Sequence, residues 1–190
     1  MAQVTLPARD RKPMDVFEAM RRRRMHRVFT DEPVSRDLLE TLVYAAGRAQ
    51  TARAGMRHLI VVSDRRIVWT LRQMCPGFIA NSPAAIVICS DVRRSGEVVG
   101  SQGVHEVSRF DAGGAAGYLA LAAPALGLGI CVVTSWNDAA VSTILGLPDH
   151  LRPEIIVAVG HPVPNPPRGV KRFEPIVHEN RFGEPWKETA

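Results

Sequence analysis

The stretch AGGAAGYLALAAPALGLGICVVTSW, Ala112 to Trp136, contains the most apolar segment of the chain, Ala115 to Val133. Pro124 and the glycines at 117, 127 and 129 interrupt it, so it reads as a buried helix followed by a buried strand and not as a membrane span. Asp111 is placed to cap the helix, whose small residues suit close packing on both sides, and Pro124 should bend or weaken its last turns. ICVVTSW, from Ile130, is then a strand. Working outward, HLIVVSD (His58 to Asp64), AAIVICSD (Ala84 to Asp91) and EIIVAVGHP (Glu154 to Pro162) are further buried strands. Strands alternating with helices around one sheet define an α/β or α+β sandwich.

The helical segments follow from caps and periodicity. Pro13 can open a first helix, with Met14, Val16, Phe17 and Met20 giving it a buried side. After the break at Pro33, Ser35 caps a helix in which Leu38, Leu39, Leu42, Val43 and Ala46 recur at helical spacing. Asp64 caps a helix through Ile67, Val68 and Leu71, and Asn137 caps a short one ending at Gly146-Leu147-Pro148. Residues 93–110 read as a charged loop with some helix. Residues 1–12 form a mobile arm, and residues 13–190 a single domain. Its C-terminal tail is rich in proline but also holds Phe173, Ile176, Val177, Phe182 and Trp186, so it must dock on its own body or on a partner.

Composition narrows the function. Hydrophobic residues make up 46% and charged residues 23% of the 190, as in ordinary globular proteins. Aromatics are only 6%, which disfavours a base-stacking surface. Cys75, Cys89 and Cys131 are odd in number and lack metal spacing, which suits buried thiols in a reducing compartment. With no signal-peptide pattern at the N-terminus, the expected location is the cytoplasm. No dinucleotide glycine motif, phosphate loop, nucleophile elbow or zinc-protease motif is present, and the six histidines do not pair at metal spacing. His105-Glu106 reads as exposed loop. With no protein nucleophile in view, any chemistry would be carried by a cofactor.

RRRRMHRVF, Arg21 to Phe29, concentrates a charge excess of +5 that those five arginines alone could supply. It can be a solvated helix end, a nucleic-acid patch, or an anion site in which guanidinium forks grip phosphate oxygens. Its surroundings favour the last. MRRRRMHRVFTDEPVSRDLLETLVYAAGRAQ, LALAAPALGLGICVVTSW, ILGLPDHLRPEIIVAVGHP and RFEPIVHENRFG resemble, in order, four segments of the nitroreductase family of FMN-dependent oxidoreductases. The resemblance spans residues 14–186. A nucleic-acid patch would leave the later segments unexplained.

The resemblance implies an α+β nitroreductase-like sandwich, a central mixed β-sheet flanked by helices, in a homodimer with exchanged C-terminal segments. It places Arg23 and Arg27 at the FMN phosphate, Arg24 and Met25 beside the flavin, and Lys171 and Arg172 among the phosphate contacts. It sets Val132 and Val133 against the ring, backbone N–H groups of Thr134 and Ser135 at flavin N5, and Thr51 in the flavin-facing loop. The chain departs from the family pattern at Met25, where serine is usual, and at Ala54 and Met56, where asparagine and glutamine are usual. Arg53 and Arg57 add cations to that loop. The implied activity is reduction of nitroaromatics, quinones or related small acceptors by NADH or NADPH, with no catalytic protein side chain and no metal. Dehydrogenation or dehalogenation of a specific metabolite, or flavin binding without turnover, are the alternatives. Neither nucleic acid nor membrane is an expected partner.

Overall fold

A computed structural model describes residues 14–164 and 176–186. The N-terminal arm, Lys171 and Arg172 lie outside the described residues. The elements are α1 (Val16–Arg22), α2 (Arg36–Gly47), β1 (Arg57–Val62), α3 (Arg65–Met74), β2 (Ala84–Asp91), α4 (Val92–Val99), a π-helical segment (Gly103–Val107), α5 (Ser108–Ala125), β3 (Gly129–Val133), α6 (Asp138–Leu145) and β4 (Leu151–Gly160). The strands pair antiparallel in the order β1-β2-β4-β3, and a parallel bridge joins Met25 to Ile130 beside β3. Helices and antiparallel strands in separate layers make the fold α+β.

Both sheet faces are covered, which is why the strands are continuous apolar runs and not alternating ones. Ile86, Ile88, Ile130, Val157 and Val159 face the layer of α2 and α5. Val87, Cys89, Cys131, Val133 and Ile156 face that of α3 and α6. Fully burying each large aliphatic side chain contributes about 1.5–3 kcal/mol. Pro153, inside β4, is accommodated at a register shift opposite Ile88 and Cys89.

Asp64 and Asn137 cap α3 and α6 as expected. Three other expectations are corrected. Residues 93–110 are helical almost throughout: α4 is capped by Asp91, and the π segment runs directly into α5. What this region buries is Ser95, Gly103 and Ser108, so no apolar stripe betrays it. Asp111 consequently lies inside α5 and does not cap it. Finally, Val16, Phe17 and Met20 are exposed, and α1 buries only Ala19, because nothing in the described chain covers its apolar side. The outer face of α5 is likewise open at Gly113, Gly114, Gly117 and Tyr118. In the tail, Ile176, Phe182 and Trp186 are exposed and pack on no described core.

The end of β4 allows a sharp test. A Cβ on Gly160 would meet the Pro83 ring at 2.7 Å and the Phe29 ring at 2.8 Å. Phe29 is 2% exposed and has no room to move. Gly160→Ala should therefore cost about 1–3 kcal/mol, a Tm drop of roughly 3–10 °C by thermal denaturation. Gly113→Ala, where a Cβ meets nothing, should show no such loss.

Candidate cofactor site

The arginine run begins on the last turn of α1 and continues as extended chain along the edge of β3. Arg21 and Arg22 both pair with Glu18, whose carboxyl they hold below its usual range, Arg22 more than Arg21. Arg24 folds back and donates to the carbonyls of Arg21 and Arg23, satisfying the helix end. Among the described residues Arg23 and Arg27 have no carboxylate partner, and both are exposed. Two cations of the run are thus left free for an external anion.

The backbone of this segment is fixed at three points. His26 N–H donates to the Ile130 carbonyl at 2.8 Å, next to the Met25–Ile130 bridge. The Asn81 side-chain oxygen accepts from Phe29 N–H at 2.7 Å, while its amide donates to the Phe29 carbonyl at 3.0 Å. Phe29 also bridges Pro162. The His26 ring lies over Gly129, where any Cβ would come within 2.8 Å of its carbons. Only glycine permits that approach.

At the other end of β3 the chain opens a cavity of about 340 Å³, lined by Thr134 and Trp136 with Arg109, Arg152 and Glu154. Thr134 and Ser135 are exposed, and Val132 is partly so on the α2–α5 side. Val133 points the other way into the α3–α6 core at 1% exposure, so only its backbone can line a site. The Glu154 side chain, 6% exposed, takes two bonds from Arg152, which also donates to the Val104 carbonyl at 2.6 Å. Ser135 O accepts from Gly77 N–H, tying this loop to the residues after α3.

Residues 49–57 form a loop whose organiser is Asp111. The buried carboxylate accepts from Thr51 Oγ1 and from Ala52 N–H, each at 2.9 Å. Arg57 donates to the carbonyls of Ala49, Gln50 and Asp111. Burial lowers the pKa of its guanidinium, and the Asp111 charge works against that shift. Arg57 is therefore a loop clasp and not a spare cation, whereas Arg53 is exposed. Met56 is 2% exposed and belongs to the core, so its side chain makes no polar contact in the site. Met25 is 40% exposed beside the arginines. Asp111, Asn81 and His26 have structural duties that sequence reading missed. The partners of Asn81 and Asp111 lie 52 to 60 residues away in the chain, and that of His26 lies farther still, beyond any local pattern.

The cysteines are excluded as nucleophiles. All three are buried and free; burial raises each thiol pKa, and for Cys89, with a smaller push from Glu154, up to about 12.

The unpaired arginines at one margin of the sheet and the open cavity at the far end of β3 make this edge the candidate small-ligand site. The family follows from comparison: residues 50–161 match the model of the nitroreductase family, and the chain belongs to that family. The FMN reductase (NADPH) of Bacillus subtilis is 29% identical over 88% of this chain and 74% of that relative. An FMN-dependent nitroreductase from Clostridium difficile superposes with TM-score 0.73 and 26% identity, over 86% of this chain and 98% of the other. The NADPH:FMN oxidoreductase of Vibrio harveyi, solved with NAD+, gives TM-score 0.75 and 25% identity, over 89% and 78%. Among the described residues no helix is long and apolar enough to cross a membrane.

His26 makes the packing of this segment sensitive to pH. Burial first, and then the Arg24 charge, lower its pKa from the ordinary 6.5. Its buried Nδ1 has no hydrogen-bond partner among the described residues. The unfolded chain therefore binds this proton more readily than the folded one, so stability holds above pH 6.5 and falls as the pH drops below it. Thermal melts should show the wild type losing more stability on acidification than His26→Asn; equal losses would exclude His26 as the source.

Proposed function

We propose that the protein is an FMN-dependent NAD(P)H oxidoreductase acting on small electron acceptors such as nitroaromatics or quinones. The observation that carries this reading is the division of the arginine run. Arg21, Arg22 and Arg24 find partners within the chain, while Arg23 and Arg27 stand free beside β3 in a member of this family. Free guanidinium forks suit the dianionic phosphate of FMN, so the donor set fits the group. Relatives named as FMN reductase and FMN-dependent nitroreductase support the same cofactor.

In this reading Arg23 and Arg27 hold the phosphate, joined by Lys171 and Arg172 from the segment outside the described residues. Val132 supplies apolar contact for the ring, and the backbone N–H groups of Thr134 and Ser135 donate to its reactive edge. Arg24 has Nη1 engaged by two carbonyls and leaves its Nε and Nη2 donors to face the anion. Thr51 has its hydroxyl proton committed to Asp111 and can offer only lone pairs. Bound FMN would supply the hydride and electron chemistry between reduced nicotinamide and a second substrate, the two reactants taking turns in ping-pong order. The chain's part is to bind, orient and bias that group electrostatically, and no side chain is required as acid or nucleophile.

We further propose a homodimer. The apolar side of α1, the open glycine face of α5 and the exposed Ile176, Phe182 and Trp186 of the tail support it. Apolar groups of this number on one chain need a cover.

Purified protein should be yellow or take up FMN, and should bleach when NADPH or NADH is added without oxygen. Arg23→Ala combined with Arg27→Ala should weaken FMN binding at least about a hundredfold while leaving the circular dichroism unchanged. A protein that cannot be loaded with FMN would overturn the reading; unchanged affinity in the double variant would place the phosphate elsewhere.

A further inference from the structure

A second polar cavity, of about 160 Å³, lies on the α3 side of the sheet, away from the β3 edge. Arg65, Trp69 and Arg72 of α3 line it together with Asn81 and Ser82 of the loop before β2, and with Asp31. Ser82 is only 4% exposed, yet its Oγ has no hydrogen-bond partner among the described residues. Arg72 Nε is buried and equally unpartnered, and no described carboxylate pairs with Arg72. A native fold seldom leaves two neighbouring buried donors unsatisfied without something to accept from them.

The unsatisfied groups share one chemistry. Ser82 Oγ–H and Arg72 Nε–H both donate, and Arg65 adds a further guanidinium. The Asn81 amide is held in place by Phe29 at both ends, which leaves one of its two N–H donors uncommitted. Asp31 meets Arg65 at 3.6 Å, but its side chain is 90% exposed and the pair is loose, so one carboxylate faces two cations. The space corresponds to about five waters, enough for a tetrahedral oxyanion and too small for a nucleotide. Trp69, 60% exposed at the rim, offers a flat surface to whatever the anion is attached to.

We propose that this cavity binds a phosphate-sized oxyanion through Arg72, Ser82 and Arg65, at a site separate from the Arg23–Arg27 edge. The anion would brace the loop whose Asn81 grips Phe29 and so holds the arginine segment. The site does not depend on the oxidoreductase reading, because none of its residues belongs to the cofactor groove.

The test is amide and indole NMR on the FMN-loaded protein, titrated with inorganic phosphate and separately with phenyl phosphate at constant ionic strength. A preparation that takes up no FMN is titrated as the Arg23→Ala, Arg27→Ala variant, which silences the other anion site. The Ser82 amide and Trp69 indole signals should shift and saturate, and Arg72→Gln and Ser82→Ala should each weaken binding about tenfold. Ser82→Ala, a small change beside the core, guards against a misfolded Arg72 variant. Tighter binding of phenyl phosphate, lost in Trp69→Leu, assigns the site to a phosphate carried on a ring; equal binding assigns it to free phosphate, and either result supports the oxyanion site. Absence of saturation at Ser82 and Trp69, wild-type affinity in both variants, or the same shifts with chloride would overturn the proposal.

Discussion

Asn81 grips both backbone groups of Phe29, and the arginine segment depends on that grip. An extended chain carrying this much positive charge would otherwise leave the sheet, because like charges repel and extended backbone must find partners for its N–H and carbonyl groups. The amide clamp at Phe29 and the His26–Ile130 bond hold the two ends of the extended stretch. The same stretch shields the edge of β3, which would otherwise present unpaired backbone to other chains. The proposed cofactor site and edge protection are thus one feature of the fold. Gly129 and Gly160 are its steric conditions, since a side chain at either would push His26 or Phe29 away.

Within that segment, the charges are sorted by helix geometry. Glu18 lies three and four residues before Arg21 and Arg22, so both fall on its side of α1 and pair with it there. Arg23 ends the helix and Arg24 turns back over it, so the next free guanidinium is Arg27, on extended chain. Like residues in one run acquire unlike roles because the backbone changes from helix to strand beneath them.

This sorting shows what could be read in advance. The strands were legible because each is a short apolar run rich in β-branched residues. The helices capped by Asp64 and Asn137 were legible because capping is local. The region from 93 to 110 was not, since packing there is done by Ser95, Gly103 and Ser108, which look like loop residues in sequence. Asp111 misled for a related reason: an aspartate before a run of alanines looks like a cap, and its true partners, Thr51 and Ala52, are about 60 residues away. In the candidate site, the free standing of Arg23 and Arg27 followed the motif, but the commitment of Arg57 to three carbonyls had no sequence signal. Met56 stands where the family pattern has a polar residue, and only packing shows that its side chain turned inward.

The exposed surface completes the argument, because it lies where the sequence predicted burial. The apolar spacing of Val16, Phe17 and Met20 was read correctly as an amphipathic face, yet the described chain leaves it bare. Tyr118 and the open glycines of α5 add to the uncovered surface, as do Ile176, Phe182 and Trp186 of the tail. Burial of such groups is worth about 25 cal/mol per Å² of apolar surface, so a chain that kept them wet would forgo much of its available stabilisation. In the proposed homodimer a second copy would supply the same elements in reciprocal arrangement, which is what a twofold interface requires. On that view the helix that ends in the arginine run is also an interface element, and assembly and cofactor binding would act on the same few residues.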